Sequence, residues 1–532
     1  MADLFEAVEF LKREGPDLIV QFARRHRGTA YADLRFEVVH SLTSAADNGE
    51  SRDASQSETA VFGVSVRFAH GAGAAGRSDG AIVGHGYRGA EVGRLALRPK
   101  KLAAAISRAL LEAYECARLN AAEKVALLRE QGERLAPVLI ERLAEVAAVR
   151  DEVCAIYRRD PRALAPEELK NLCRDASAAV KGLGPEIAFN WVGATSELRD
   201  EVFISSEGAL IDQAFAFSQG DCYVVAQTAG GGHQEIYDTI GQQRGLECLS
   251  EGWRGELMPN PNLRTFAMGL AQEARELAAA PILNPPDKEV TLVSDPHFNA
   301  LLAHEIVGHP CEADRALKME AAYAGRSWFL RSLQDNEIGR EVAAPILSAC
   351  SDPGLEGYGQ YRYDHEGTPG RRVMHFERGV FCGFLNSRAT AAVLGAEPNG
   401  SARASDPRYV PLIRMSNTFF MPGERHPEEI IAEVDRGYYV CGHRIPSIAE
   451  SRENFRISAR RVYEIEHGRL GRLFRSGSVI SDSKRFFLNV DAAGNDLRLL
   501  AIPNCGKGQP MQAKRMSNGG PTLRSRARLA GG

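Results

Sequence analysis

Nowhere in the 532 residues does an apolar run approach the length of a membrane span, so a transmembrane role is not expected. The opening residues, Met1-Ala2-Asp3-Leu4-Phe5-Glu6, lack a basic segment followed by an apolar one, and no secretory signal is read there. The ten cysteines contain no CxxC pair and no dense framework, which excludes a disulfide scaffold and points to reduced thiols in the cytoplasm. An excess of one charge is also missing: 65 Lys and Arg stand against 69 Asp and Glu. That balance argues against a nucleic-acid partner held by bulk charge. No repeat of solenoid period is visible.

What is present is the composition of an ordinary globular protein, 44% hydrophobic and 25% charged, in a chain too long for one core. Residues 1–30 read as a helix with Leu4, Val8 and Leu11 on one face. Strand-like alternation runs over about 31–92, as in Leu34-Arg35-Phe36-Glu37-Val38-Val39, with a polar loop or hairpin tip from Ser44 to Ser57. Long helices are expected over about 101–158 and strands again over about 186–226. A helix at about 263–280 ends before Pro281 and the pair Pro285-Pro286, the best candidate for a boundary between domains 1–285 and 286–532. The resulting class is α+β: an N-terminal α/β region with antiparallel strands and long helices, then a β-rich C-terminal domain carrying one helix of interest. The basic tail after Gly520 is expected to fray.

That helix carries the strongest local signal. Glu289-Val290-Thr291-Leu292-Val293 reads as a strand, Asp295 as an N-cap and Pro296 as the first helical residue. Phe298, Leu301, Leu302 and Ile306 then form an apolar face that leads to His304-Glu305-Ile306-Val307-Gly308-His309. In HExxH the two histidines lie one turn apart and reach one zinc. Here the spacing is one residue longer, and five residues of ideal helix leave two side chains roughly 140° apart. Either a π-bulge absorbs the extra residue, or the helix stops at Gly308 and the chain turns His309 back. The second option is preferred, because glycine makes it cheap.

Zinc lowers the pKa of water it holds to about 7, and Glu305, beside the first histidine, is placed to act as general base. A cap at a helix end is the competing explanation of the two histidines. A catalytic zinc has three protein ligands and an open position. Cys505, in Ile502-Pro503-Asn504-Cys505-Gly506-Lys507-Gly508-Gln509-Pro510, is the leading third ligand, with Lys507 nearby to favour the thiolate. A buried, inert thiol is the alternative.

These segments carry a family resemblance. Leu302-Ala303-His304-Glu305-Ile306-Val307-Gly308-His309, with Glu312 and Asp314 following, resembles the LLHExxGH…ExD signature of the TldD/PmbA peptidases. Asp364-His365-Glu366-Gly367-Thr368-Pro369-Gly370 resembles the family's DDEGTPG loop, and Arg414-Met415-Ser416-Asn417-Thr418 with Pro422-Gly423 its RMTNTY…PG segment. Asn504-Cys505-Gly506-Lys507-Gly508-Gln509 resembles the VCGKxGQ loop that supplies a cysteine ligand. The four motifs occur in order across roughly residues 186–525. The resemblance implies His304, His309 and Cys505 as zinc ligands and Glu305 as base of a cytosolic peptidase acting on unfolded or extended peptides. It also implies a dimer, either of this chain with itself or with a PmbA/TldE-like subunit that lacks HExxxH, this chain being the catalytic one. Departures are Asn504 in place of a hydrophobic residue, a missing residue after Lys507, His365 for Asp, and Pro310-Cys311 for Gly-Leu. Cys311 is thereby a rival sulfur ligand.

Two other functions fit the same residues: a zinc-retaining partner subunit without turnover, and a zinc hydrolase of another amide or ester. Glu312 and Asp314 are candidates to hold a ligand imidazole from behind, or are surface charges. Asp364 and Glu366 read better as a structural turn than as substrate contacts. Arg414 and Asn417 are open between peptide binding and a structural role. Gly84-His85-Gly86-Tyr87-Arg88-Gly89 spells GxGxxG but lacks the following helix and acidic residue of a dinucleotide site, so turn glycines between strands are the better explanation. An extended peptide is expected to add to a sheet edge near Gly230-Gly231-Gly232.

Overall fold

The computed structural model describes residues 2–70, 82–131 and 142–531. The chain is α+β, as expected. Helix α1 (Ala2–Arg25) leads into a sheet whose eight strands are β1 (Thr29–Asp47), β2 (Glu50–Ser51), β3 (Ser55–His70), β4 (Ile82–Glu91), β5 (Arg150–Val153), β6 (Ile187–Ser205), β7 (Leu210–Gln227) and β8 (His233–Gln242). The order is β4-β3-β1-β6-β7-β5, with β2 beside β1 and β8 beside β7. All pairs are antiparallel except β5 with β7. Successive strand side chains point to opposite faces. Even-numbered Leu34, Phe36, Val38, Leu42, Val202 and Ile204 are buried against helices. Those helices are α1, α2 (Pro99–Gln131), α3 (Pro166–Lys181) and α4 (Leu263–Ala279). Odd-numbered Arg35, Glu37 and Glu197 are buried on the other face.

Several expectations need correcting. Helix α2 is described as far as Gln131, and residues 142–158 of the expected helical stretch are not helical and include β5. The polar stretch from Ser44 is mostly strand, and the hairpin turns at Asn48 (φ 47°) and Gly49 (φ 84°), the left-handed pair that suits a tight hairpin. Gly84 and Gly86 are not turn residues. They lie within β4, where a Cβ would come within 2.0 and 1.9 Å of the Ala117 and Ala113 carbonyls, so they let α2 close on the sheet.

From β9 (Glu289–Ser294) onward, a seven-stranded and a six-stranded sheet share a broad apolar core. One runs Arg436–Ile448, β9, Leu523–Ala530, Ser478–Asp482, Asn454–Glu466 and Arg469–Phe474, and it closes on itself because Arg436–Ile448 also pairs with Asn454–Glu466. The basic tail is therefore not frayed. Leu523, Ser525, Ala527 and Leu529 are buried, with the arginines between them turned outward, and this strand pairs with β9 through six positions. Arginine content hid an alternation of period two. The second sheet ends in the hairpin Arg498–Lys507 and Gln512–Gly520, the latter parallel to Asn417–Phe420. Helix α5 (Pro296–Leu302) springs from β9.

Candidate metal centre

Helix α5 begins as its sequence dictates: the Asp295 carboxylate accepts from Phe298 N at 2.7 Å, and Pro296 occupies the first turn. Phe298, Ala300 and Leu302 are fully buried. The helix does not stop at Gly308. Residues Ala303–Gly308 continue as a π-turn, and His309–Cys311 close with a tighter one. The His309 N–H donates to the His304 carbonyl, the i→i+5 bond that defines a π-turn. That bond absorbs the extra residue of HExxxH and brings the two histidines onto one face, their ring centroids 4.7 Å apart. Gly308 keeps an ordinary helical conformation, φ −60° and ψ −59°. Its role is space: a Cβ there would lie 1.8 Å from Met415 Sδ. Gly308→Ala is accordingly expected to cost about 1–3 kcal/mol through overpacking. A thermal midpoint unchanged from wild type would refute this account of the glycine.

His304, His309 and Cys505 converge, with their donor atoms all within 4.8 Å of one another. Cys505 Sγ is 3.4 Å from His309 Nε2, close to the separation of two donors on one tetrahedral zinc at about 2.0–2.3 Å from each. Both rings are oriented from behind. His304 Nδ1 is 2.9 Å from Asn518 Oδ1, and His309 Nδ1 is 3.0 Å from Glu312 Oε2. Both oxygens only accept, so Nδ1 carries the proton in each ring and the Nε2 lone pairs are left for a metal. The donor set thus fits a zinc ion. Burial disfavours the Cys505 thiolate, but His309, His304 and Arg414 outweigh it and hold the thiol well below its ordinary range. Burial likewise opposes charge on His304, yet the Cys505 sulfur raises its pKa to about 9, so a metal bound there would take the place of the Nε2 proton. Cys311 is buried, its thiol pushed up by burial, and it is not among the converging donors.

Glu312 is fully buried and also accepts from Arg315 Nε at 2.8 Å and Lys507 Nζ at 3.0 Å. Asp314 accepts from Lys507 Nζ at 2.7 Å. Lys507 therefore braces these carboxylates, and Arg414, which acts on Cys505 alongside His309 and His304, bonds the Cys505 and Gln512 carbonyls and clips the hairpin. Asn417 bonds the Asp352 and Leu355 carbonyls, also a structural duty. Asp364 Oδ1 accepts from the Glu366 and Thr368 N–H groups, both at 2.9 Å, as a structural turn requires. His365 accepts from Arg35 and the Ala404 N–H and lies 3.3 Å from Glu201. The carbonyls of His233 and Glu235 in β8 accept from Arg475 and Arg444, so two acceptors of the edge near Gly230–Gly232 are taken by arginine side chains.

Two residues of the site have no signature in the sequence: Asn518, behind His304, and Arg452, beside Glu305. Arg452, 3% exposed and held at φ 62° between Arg436–Ile448 and Asn454–Glu466, bonds both the carboxylate and, at 3.0 Å, the carbonyl of Glu305. Burial pushes the Glu305 carboxyl up, but Arg452, with His304 and His309, brings it below the ordinary range and keeps it ionised. Arg452 is 147 positions from Glu305 and belongs to no motif, so only the fold reveals it.

Residues 287–531 match the family of PmbA/TldA metallopeptidase C-terminal domains. A metalloprotease of Methanothermobacter thermautotrophicus is 30% identical over 382 residues, 72% of this chain and 78% of that protein. A zinc metalloprotease TldD homolog of Saccharolobus solfataricus is 28% identical over 250 residues, 47% of this chain and 53% of that protein. The fold resembles TldE from Thermococcus kodakarensis, with a TM-score of 0.63 at 16% identity over 97% of this chain and 99% of that one. The chain belongs to the TldD/PmbA family.

Proposed function

We propose that the chain is a zinc metallopeptidase that hydrolyses amide bonds in unfolded or extended peptides. The observation that carries this reading is the convergence of His304, His309 and Cys505 beside an ionised Glu305. His304, His309 and Cys505 would hold the zinc, which would supply a Lewis acid for the scissile carbonyl and for water. Glu305 takes the proton of the attacking water as the C–O bond forms, and gives it to the leaving amine as the C–N bond breaks. Arg452 holds the Glu305 carboxylate in place and ionised. Asn518 and Glu312 fix the two imidazoles so that neither ring needs to reorient.

The reading extends to organisation. A division near residue 285 is supported by the first sheet, whose strands all precede residue 243, and by the family match that begins at 287. The likeness to TldE supports pairing with a related subunit or with a second copy of this chain. Among the described residues no helix is long and apolar enough to cross a membrane, and the cytoplasm is the proposed location.

The test is metal removal. Dialysis of the full-length protein against a chelator is expected to abolish cleavage of denatured casein, and stoichiometric zinc to restore it. Undiminished cleavage after verified loss of zinc would end the proposal.

A further inference from the structure

The alternation that gives the first sheet an apolar face for its helices leaves the opposite face charged. Glu37, Glu197, Arg199 and Glu201 line a cavity of about 360 Å³, which Arg403 and Lys514 line from the C-terminal region. Most of its carboxylates are met by arginines, while Glu201 Oε1 is buried without a hydrogen-bond partner. Glu37 meets Arg199 at 3.0 Å, Glu197 meets Arg199 at 3.1 Å and Arg515 at 2.7 Å, and Glu201 meets His365 at 3.3 Å. Asp406 meets Arg408 at 2.9 Å.

Two of its cations are not so matched. The Lys514 ammonium has no close hydrogen bond or ion pair with a described residue; Glu201 and Glu37 attract it only from beyond contact distance. Arg403 is 5% exposed, lies over the Tyr361 ring at 4.3 Å and donates to the Met415 carbonyl, but its Nε has no partner and no described carboxylate pairs with it. Burying an uncompensated guanidinium beside a lysine is costly unless an anion enters. Burial pulls the Lys514 ammonium down to about 7; Glu201 resists, while Arg199 and Arg403 add to the fall. The cavity adjoins the donor cluster through the hairpin, where Lys514 is the direct cross-strand partner of Cys505, and Asn504 also lines it. Glu91, Glu197 and Asp406 on the walls disfavour a dianion such as phosphate, and Phe215 and Phe217 offer apolar surface for a stem.

We propose that this cavity is a carboxylate subsite, in which Lys514 and Arg403 take an acidic group of the peptide held at the neighbouring Cys505 strand. The inference deepens the peptidase reading and rests on it for the identity of the ligand. The carboxylate is either an acidic side chain or a peptide C-terminus, and both share the recognition chemistry.

Binding of short fluorescein-labelled peptides to full-length, zinc-loaded Glu305→Gln protein separates the two sources. One pair differs by a free or amidated C-terminus, and a second, amidated series carries Glu or Gln at each position in turn. One of these sets is expected to show roughly 10–100-fold tighter binding for the charged member, the range of a charge-assisted hydrogen bond. Lys514→Met in the same background is expected to erase that preference and Lys514→Arg to restore most of it, with zinc content unchanged. Equal affinity for every charged and neutral pair, no measurable binding of any peptide, or a preference that survives Lys514→Met overturns the subsite. A Lys514→Met protein that fails to fold leaves the peptide pairs on the parent to decide. Failure of the peptidase reading shows separately, as a wild type without zinc or without casein cleavage.

Discussion

Cys505→Ala is expected to empty the metal site and abolish casein cleavage while leaving the chain folded. The thiolate is the only anionic member of the donor set, and its charge is what His309, His304 and Arg414 are arranged to hold. Outer partners of a zinc ligand typically change metal affinity by about 10–100-fold, and loss of a direct ligand should exceed that. Zinc per chain, measured by atomic emission on protein dialysed against metal-free buffer, should fall from about one toward none. The same loss is expected for His304→Ala. Cys311→Ala should retain its zinc, since that sulfur lies outside the converging set. A Cys505→Ala protein that keeps full zinc would show that the ion sits elsewhere.

Glu305→Gln is expected to do the opposite: retain zinc and lose cleavage by about 10²–10⁴-fold, the usual contribution of a positioned base. The substitution keeps shape and removes proton affinity. It also distinguishes a peptidase from a zinc-holding partner subunit, which would cleave nothing in either form. Arg452 adds a sign to the pH dependence. A Glu305 carboxyl held below the ordinary range stays in its basic form as pH falls, so the acid limb of kcat/KM lies low. Arg452→Met removes the main stabilising charge, and that limb should move to higher pH. A limb that does not move would mean that another group sets it.

Much of this site is legible in the sequence. Asp295, Pro296 and the apolar face of Phe298, Leu301, Leu302 and Ile306 encode a capped helix with one side to bury. The family motifs link Cys505 to that helix, which no local propensity could do. The expected chain reversal at Gly308 is wrong because a glycine signals small size as well as backbone freedom, and here the packed Met415 side chain needs the room. Lys507 misleads for a similar reason. Its proximity to Cys505 in sequence says nothing of direction, and its ammonium reaches Glu312 and Asp314 instead. The strand Leu523–Ala530 escapes notice because its alternate arginines make the segment read as polar throughout, while the face between them is buried.

The sulfur and the imidazole that approach each other at the centre stand 196 positions apart, and the strand that seals β9 comes later still. Neither histidine has its full set of companions until the hairpin that carries Cys505 and Asn518 has docked. Metal binding is then coupled to the finished tertiary arrangement, and free zinc stabilises that arrangement over every looser one. A hydrolase whose proposed targets are loose polypeptides is thus armed last, only once its own chain has ceased to be one.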